Sequence, residues 1–261
     1  VEAGEPGADL RVQLVVLGAG LGGYTAAFRA ADLGLQVLLV DRWPQLGGVC
    51  LNVGCIPSKA LLHAARVIED VESMAENGLM YGDPTIDHVR LRQWKNRIVG
   101  KLTAGLTILA RQRKVQVLRG VGRFVSRSRL EVVEPDGQKR VVAFEQCIIA
   151  AGSEPARIPG LPADPRVIDS TGALALEDVP GSMLVVGGGI IGLEMACVYD
   201  ALGTRVSVVE LTPGLMPGCD RDLVRPLEKR ITARYAKVMT GTKVERVEAG
   251  EDSLTVSFSG S

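Results

Sequence analysis

Two glycine patterns, each followed at the same distance by an acid, limit what this chain can fold into more than any other feature. Gly18-Ala19-Gly20-Leu21-Gly22-Gly23 and Gly187-Gly188-Gly189-Ile190-Ile191-Gly192 both read G-x-G-x-x-G, and Asp41 and Glu210 each stand 23 residues after the first glycine. The settings match too. Leu10 to Leu17 is a nearly unbroken apolar, β-branched run, as in a strand buried on both faces. A helix over Tyr24–Ala31 ends at Gly34, and a second strand, Gln36–Val40, leads into Asp41. In the later unit, strand Met183–Val186 precedes the glycines, a helix Leu193–Leu202 ends at Gly203, and strand Arg205–Val209 leads into Glu210. Strand, glycine turn, helix, strand and acid together make the dinucleotide-binding unit. Its first glycine (Gly18, Gly187) makes the tight turn. Its second (Gly20, Gly189) lets backbone approach a pyrophosphate, and its third (Gly23, Gly192) lets helix and strand pack. The helix N-terminus offers N–H groups to phosphate, and the acid accepts from a ribose hydroxyl. An acid at Glu210 favours an unphosphorylated ribose, hence NAD over NADP. The repeat implies two bound dinucleotides, or two halves of two domains.

The remaining chain fits a large α/β protein. Its 261 residues allow one large or two ordinary domains, and 46% hydrophobic with 23% charged content is ordinary for a globular chain. A formal net charge of zero argues against nucleic acid or an anionic membrane as a main partner. No apolar run reaches the roughly eighteen residues of a membrane span. Five cysteines, an odd number scattered over the chain, favour the cytoplasm over a secreted disulfide scaffold. The start lacks a signal region and an initiating Met, which suggests a processed or cut chain, and residues 1–9 read as a linker or tail. A helix is expected over Lys59–Asn77, a turn at Gly82-Asp83-Pro84, and a long helix His88–Arg113 capped by Asp87. Short strands at Val115–Leu118, Gly122–Val125, Leu130–Val133 and Arg140–Phe144 read as a small antiparallel excursion. Gln146–Gly152 then returns to the parallel sheet, and Pro155, Pro159, Pro162 and Pro165 mark a linker. After helix Asp220–Arg234 come strands Val244–Val247 and Leu254–Phe258, and the sequence stops within a sheet pattern. The expected division is 1–9, 10–152 and 153–261, with both α/β domains, Rossmann-like and parallel-sheeted, incomplete at their C-terminal ends. His63 and His88 read as packed or solvated residues, Cys147 and Cys197 as core residues, and no metal site is expected.

Between the first unit and the first long helix lies Gly47-Gly48-Val49-Cys50-Leu51-Asn52-Val53-Gly54-Cys55-Ile56-Pro57-Ser58-Lys59, with two cysteines five positions apart. Five residues of regular helix rise about 7.5 Å, whereas bridged cysteines have Cα atoms about 4.4–6.8 Å apart. A bridge here would require locally unwound backbone, for which Gly54 gives freedom, and Pro57 disfavours helix at Ile56. Spacing alone leaves a redox pair, a metal pair and chance all open.

The stretch Val49 to Lys59 resembles the redox motif of the pyridine nucleotide–disulfide oxidoreductases. Gly187–Glu194, reading GGGIIGLE, and Ala150-Ala151-Gly152-Ser153 support the resemblance, which covers nearly the whole chain from about Leu10. It implies a flavoprotein that reoxidises protein-bound dihydrolipoamide with NAD+ through a redox-active disulfide and FAD. On that resemblance, the first fingerprint with Asp41 and Arg42 would hold FAD, helped by Gly48, Val49, Gly122, Ala150 and Gly152. Cys50 would exchange with the substrate disulfide, and Cys55 would face the flavin in a charge-transfer contact. Lys59 would lie near the flavin ring, ion-paired with Glu194. The second fingerprint, with Ile190, Ile191, Glu210 and Val244, would hold NAD. Ile190 stands where glutathione-reducing relatives often carry tyrosine, which favours lipoamide.

Leu21 departs from a proline common in this subfamily. The resemblance also implies a later FAD segment and an interface domain whose His–Glu pair serves the partner subunit as acid and base. Neither His63 nor His88 fits that pair. The chain is therefore expected to be about the front half of a homodimeric enzyme serving lipoyl domains of 2-oxo acid dehydrogenase complexes, and inactive alone. The alternatives are a non-catalytic nucleotide-binding fragment and a relative reducing another disulfide or mercuric ion.

Overall fold

A computed structural model describes residues 7–82, 84–156 and 158–260. The chain forms two compact units, one of residues 1–56 and 97–154, the other of residues 57–96 and 155–261. The division is discontinuous, where the sequence suggested a single cut at 152/153. Residues 1–6 of the expected linker and Asp83 of the expected turn lie outside the described residues.

The first unit is a six-stranded sheet. β1 (Leu10–Leu17), β2 (Val37–Asp41), β3 (Gln116–Arg119), β4 (Val121–Ser126), β5 (Arg129–Val133) and β6 (Lys139–Ile149) lie in the order β3-β2-β1-β6-β5-β4. β1 pairs in parallel with β2 and with β6, and β2 with β3. Alternate residues of the central strands face two separate cores. Leu14, Val16, Val37 and Leu39 pack with Phe28 of helix α1 (Leu21–Asp32), while Val15, Leu38 and Val40 pack with Leu130, Val132 and Val142. Burial on both faces explains why these strands are unbroken apolar runs rather than alternating ones.

Two expectations change. The sequence pattern groups Val115–Leu118 with the antiparallel excursion, but β3 is the parallel edge strand beside β2. The segments Arg140–Phe144 and Gln146–Ile149 are one strand, β6, whose residues 139–143 pair antiparallel with β5 while residues 142–149 pair in parallel with β1. The excursion therefore extends the main sheet, because Val142 and Phe144 bury against Val12 and Leu130 and leave no reason to break.

The second unit repeats the first three strands. β7 (Ser182–Val186), β8 (Arg205–Val209) and β9 (Lys237–Met239) are parallel in the order β7-β8-β9. β10 (Thr242–Ala249) and β11 (Leu254–Gly260) form an antiparallel hairpin. Tyr199, Leu176, Leu215 and Val208 are almost wholly buried in its core. Helix α6 (Ile190–Ala201) follows β7 and α7 (Arg221–Arg234) precedes β9. Residues of helices α3 (Cys55–Ala75) and α4 (His88–Gln112) belong partly to this unit. Asp87 accepts from Arg90 N–H at 3.0 Å, as expected of the cap of α4. Among the described residues, no helix is long and apolar enough to cross a membrane.

Candidate active site

The two glycine turns are built alike, contact for contact. A Cβ on Gly23 would lie 1.7 Å from Gly18 O, and one on Gly192 2.3 Å from Gly187 O. No side chain fits there, so the helix can pack on the strand only through glycine. The first glycines take positive φ, +104° and +111°. The N-caps of α1 and α6, Gly20 and Gly189, offer no side-chain acceptor to the first-turn N–H groups. The short helix α5 (Ser170–Ala175) differs: Asp169 accepts from Gly172 N–H at 2.9 Å. Uncapped donors at two glycine turns fit a phosphate ligand.

The acids bond the same positions. Asp41 Oδ2 accepts from Ala19 N–H at 2.5 Å and Oδ1 from Trp43 N–H at 2.8 Å. Glu210 Oε2 accepts from Gly188 N–H at 2.6 Å and Oε1 from Thr212 N–H at 2.7 Å. A leucine five residues past each acid, Leu46 and Leu215, is buried. The next N–H closes the turn: Gly47 N–H donates to Ala19 O and Met216 N–H to Gly188 O, both at 2.8 Å. Burial pushes the Glu210 carboxyl up, but the donors at Thr212, Gly188 and Leu211 outweigh it and hold the group below the usual carboxylate range. The matching acids were legible from sequence. Thr212, Trp43 and the buried leucines were not, although their common offset from the acid is visible once the acids are aligned.

The units diverge after this turn. In the first, the chain enters helix α2 (Gly48–Val53), whose N-cap Gly47 is left-handed. A Cβ on Gly48 would lie 2.5 Å from Gly20 Cα, so the start of α2 is pressed onto the nucleotide turn. Asn52 Nδ2 donates to Gly48 O at 3.0 Å and Leu46 O at 3.3 Å, holding α2 to the same turn. Cys50 is half-buried on α2, beside half-buried Val49, and Cys55 is exposed where α3 begins. The break between the cysteines falls at Gly54, whose Cβ would meet Val49 O at 2.8 Å and Cys50 Cα at 3.1 Å. The expected interruption is therefore there, but Ile56 is helical, contrary to expectation. Pro57 sits in the first turn of α3, where the N–H it lacks would have had no helical partner.

The structure places the other site residues as follows. Ala150 N–H donates to Leu17 O at 2.7 Å, which sets Ala150 beside Gly18. Gly122 lies on β4 against Leu17 and Leu130, Gly152 is exposed, and exposed Arg42 pairs with Glu154 at 3.7 Å. In the second unit Lys59 Nζ donates to Glu194 Oε1 at 2.5 Å; the carboxylate is largely buried and the lysine 61% exposed. Lys59 is one helical turn beyond Cys55 on α3. Ile190 and Ile191 are exposed at the start of α6, and Val244 is half-buried opposite Phe258 in the hairpin. Cys147 is half-buried against the first unit's core, and burial pushes its thiol up. Cys197 is set against Glu69 at 3.8 Å, so its surroundings are not purely apolar.

A doubled dinucleotide turn with a cysteine helix grown from the first copy defines a class: α/β oxidoreductases that join a nucleotide to a thiol pair. The chain belongs to the pyridine nucleotide-disulphide oxidoreductase family, which it matches over residues 12–260. Its relatives include the dihydrolipoyl dehydrogenases of Vibrio cholerae, 50% identical, and Haemophilus influenzae, 48% identical, each aligned over 97% of this chain and 53% of the relative. The dihydrolipoyl dehydrogenase of Geobacillus stearothermophilus is 39% identical over 95% of this chain and 53% of its own. The chain thus spans about half the length of the curated relatives it matches. Its structure resembles the HOCl-induced flavoprotein disulfide reductase RclA from Escherichia coli, in a Cu(II) complex, with TM-score 0.82 and 29% identity over 95% of this chain and 53% of the other.

Proposed function

We propose that the full-length protein oxidises dihydrolipoamide carried on lipoyl domains of 2-oxo acid dehydrogenase complexes, using NAD+ as final acceptor, as a cytoplasmic homodimer. On this reading residues 10–152 contribute to the FAD site and residues 153–261 to the NAD site. One observation carries it: the Gly48–Gly20 approach fixes the Cys50 helix onto a dinucleotide turn. A thiol pair fixed to a nucleotide turn has a use in moving electrons between the two.

The residues fit the cofactors. The uncapped α1 terminus and Asp41 would hold one dinucleotide, with Arg42, Gly48, Val49, Gly122, Ala150 and Gly152 around it. The α6 terminus and Glu210 would hold the other, with Ile190, Ile191 and Val244 alongside. FAD, when bound, accepts two electrons from thiols and passes hydride to NAD+. The chain's own part is thiol chemistry and placement. One substrate thiolate attacks the Cys50 sulfur of an oxidised Cys50–Cys55 pair, which frees the Cys55 thiolate. The second substrate thiolate then attacks the mixed disulfide, frees Cys50 and leaves as the lipoamide disulfide. Two electrons now rest on the cysteines, and the two substrate protons have been released. Glu194 fixes the Lys59 ammonium and neutralises it, so charge is placed without an unpaired buried carboxylate.

The test is an assay of the full-length gene product with dihydrolipoamide and NAD+. Turnover is expected, abolished by Cys50→Ser and by Cys55→Ser, while residues 1–261 alone give almost none. Turnover that survives Cys50→Ser overturns the reading. The likeness to a reductase solved with Cu(II) supports a second reading, reduction of a metal ion at the same pair. Preference for Cu(II) or mercuric ion over lipoamide, with NADH as donor, would select it.

A further inference from the structure

We infer that Thr212 is a positioning residue that sets the second turn's preference for NADH over NADPH by anchoring the Glu210 carboxylate. The inference rests on the reading of that turn as the nicotinamide nucleotide site. The two acids differ in what holds them. Asp41 has two backbone donors, Ala19 and Trp43 N–H. Glu210 has two from the same positions and, besides the Leu211 N–H, the Thr212 hydroxyl, a side-chain donor that Asp41 lacks, at 2.7 Å from Oε1. That hydroxyl has one hydrogen and a second acceptor in reach, Gly214 O at 2.9 Å. The shorter contact to the charged acceptor takes the hydrogen, because charge-assisted hydrogen bonds are about twice as strong as neutral ones.

The hydroxyl matters for selectivity because glutamate is longer than aspartate and has one more rotatable bond. Anchored at both oxygens, Glu210 cannot swing aside. Its Oε1 is engaged by the Thr212 N–H and O–H together, Oε2 accepts from the Gly188 N–H, and the two oxygens' four lone-pair sites leave room for a ribose hydroxyl. A ribose 2′-phosphate would meet a fixed negative charge with no donor to offer it. Without the hydroxyl, the carboxylate gains freedom to turn away, and the repulsion that rejects the phosphate weakens. Leu215, buried beneath, and the Met216–Gly188 bond keep the turn itself in place whether or not the hydroxyl is present.

The experiment is titration of the full-length protein and its Thr212→Val and Thr212→Ser variants with NADH and with NADPH, read by nucleotide fluorescence. Valine keeps the β-branched shape and removes the donor; serine restores it. The wild type is expected to prefer NADH. Thr212→Val should narrow the NADH/NADPH ratio of dissociation constants about tenfold, the scale of one hydrogen bond to a charged group, and Thr212→Ser should stay within about twofold of wild type. A purely structural loss would weaken both nucleotides alike and leave the ratio alone. A wild type that prefers NADH, with an unchanged ratio in Thr212→Val, overturns the role of Thr212 and leaves the nucleotide reading standing. A wild type that binds neither nucleotide, or prefers NADPH, overturns that reading and this inference with it.

Discussion

The two nucleotide turns solve one packing problem with opposite pairs of residues. The first places Ala19 beside Asp41; the second places Gly188 beside Glu210. A Cβ on Gly188 would lie 3.1 Å from Glu210 Cβ and 2.4 Å from Leu215. Leu215 Cδ2 and Glu210 Cβ thus fill the side where the other turn keeps a methyl, and both carboxylates reach the N–H at that position. The second lesson lies after the turn. Where the first unit grows a helix carrying Cys50, the second runs through Pro217 and Gly218 into α7, so a cysteine helix is added to one copy of the unit while the turn before it stays the same.

The comparison can be broken in several ways, beginning with the third glycines. Gly23→Ala should cost more than Gly192→Ala, since its Cβ meets carbonyl oxygen at 1.7 Å rather than 2.3 Å. Both losses should reach or exceed about 3 kcal/mol, the upper range for overpacking, measured by urea unfolding. Equal, small losses would mean that the helices are not pressed onto their strands. Gly188→Ala should cost about 1–3 kcal/mol, and less in a Leu215→Val background, which shortens the side chain met at 2.4 Å. A double-mutant cycle should show coupling of about 1 kcal/mol; simple additivity would refute the Leu215 contact.

The pH dependence is a subtler test. The folded Glu210 carboxyl is held below its ordinary value by hydrogen bonds that exceed the burial cost. Its contribution is therefore fully present above the unfolded glutamate pKa, about 4.3, and is lost as pH falls through the lower folded value. Glu210→Gln should flatten unfolding free energy below about pH 4, measured by denaturant titration at stepped pH. An unaltered acid limb would contradict the hydrogen-bonded carboxylate. The smallest effect belongs to Lys59–Glu194. Because the lysine is 61% exposed, Glu194→Gln should cost no more than about 1 kcal/mol in thermal unfolding. A much larger loss would make the pair structural rather than a means of placing charge.

Much of this was legible in the sequence, for physical reasons. The glycines and acids are local, and their spacing follows from one strand–helix–strand unit. The Gly54 break follows from a glycine between two cysteines. The Lys59–Glu194 pair is long-range and came only through family resemblance. The continuity of β6 was hidden because Glu145 interrupts the apolar pattern where the strand changes partner on one side. Pro57 misled because a proline also suits a helix's first turn. Thr212 was invisible because a threonine after an acid looks like ordinary turn chemistry until its hydroxyl is seen on the carboxylate.

The central claim is that the two turns serve different nucleotides, the second one NAD. Titration of the full-length protein with NADH tests it, comparing Asp41→Ala with Glu210→Ala. The account predicts a loss of affinity of about tenfold or more for Glu210→Ala, the value of hydrogen bonds to a charged group, and no change beyond about twofold for Asp41→Ala. Equal losses in both variants, or a loss confined to Asp41→Ala, would contradict it.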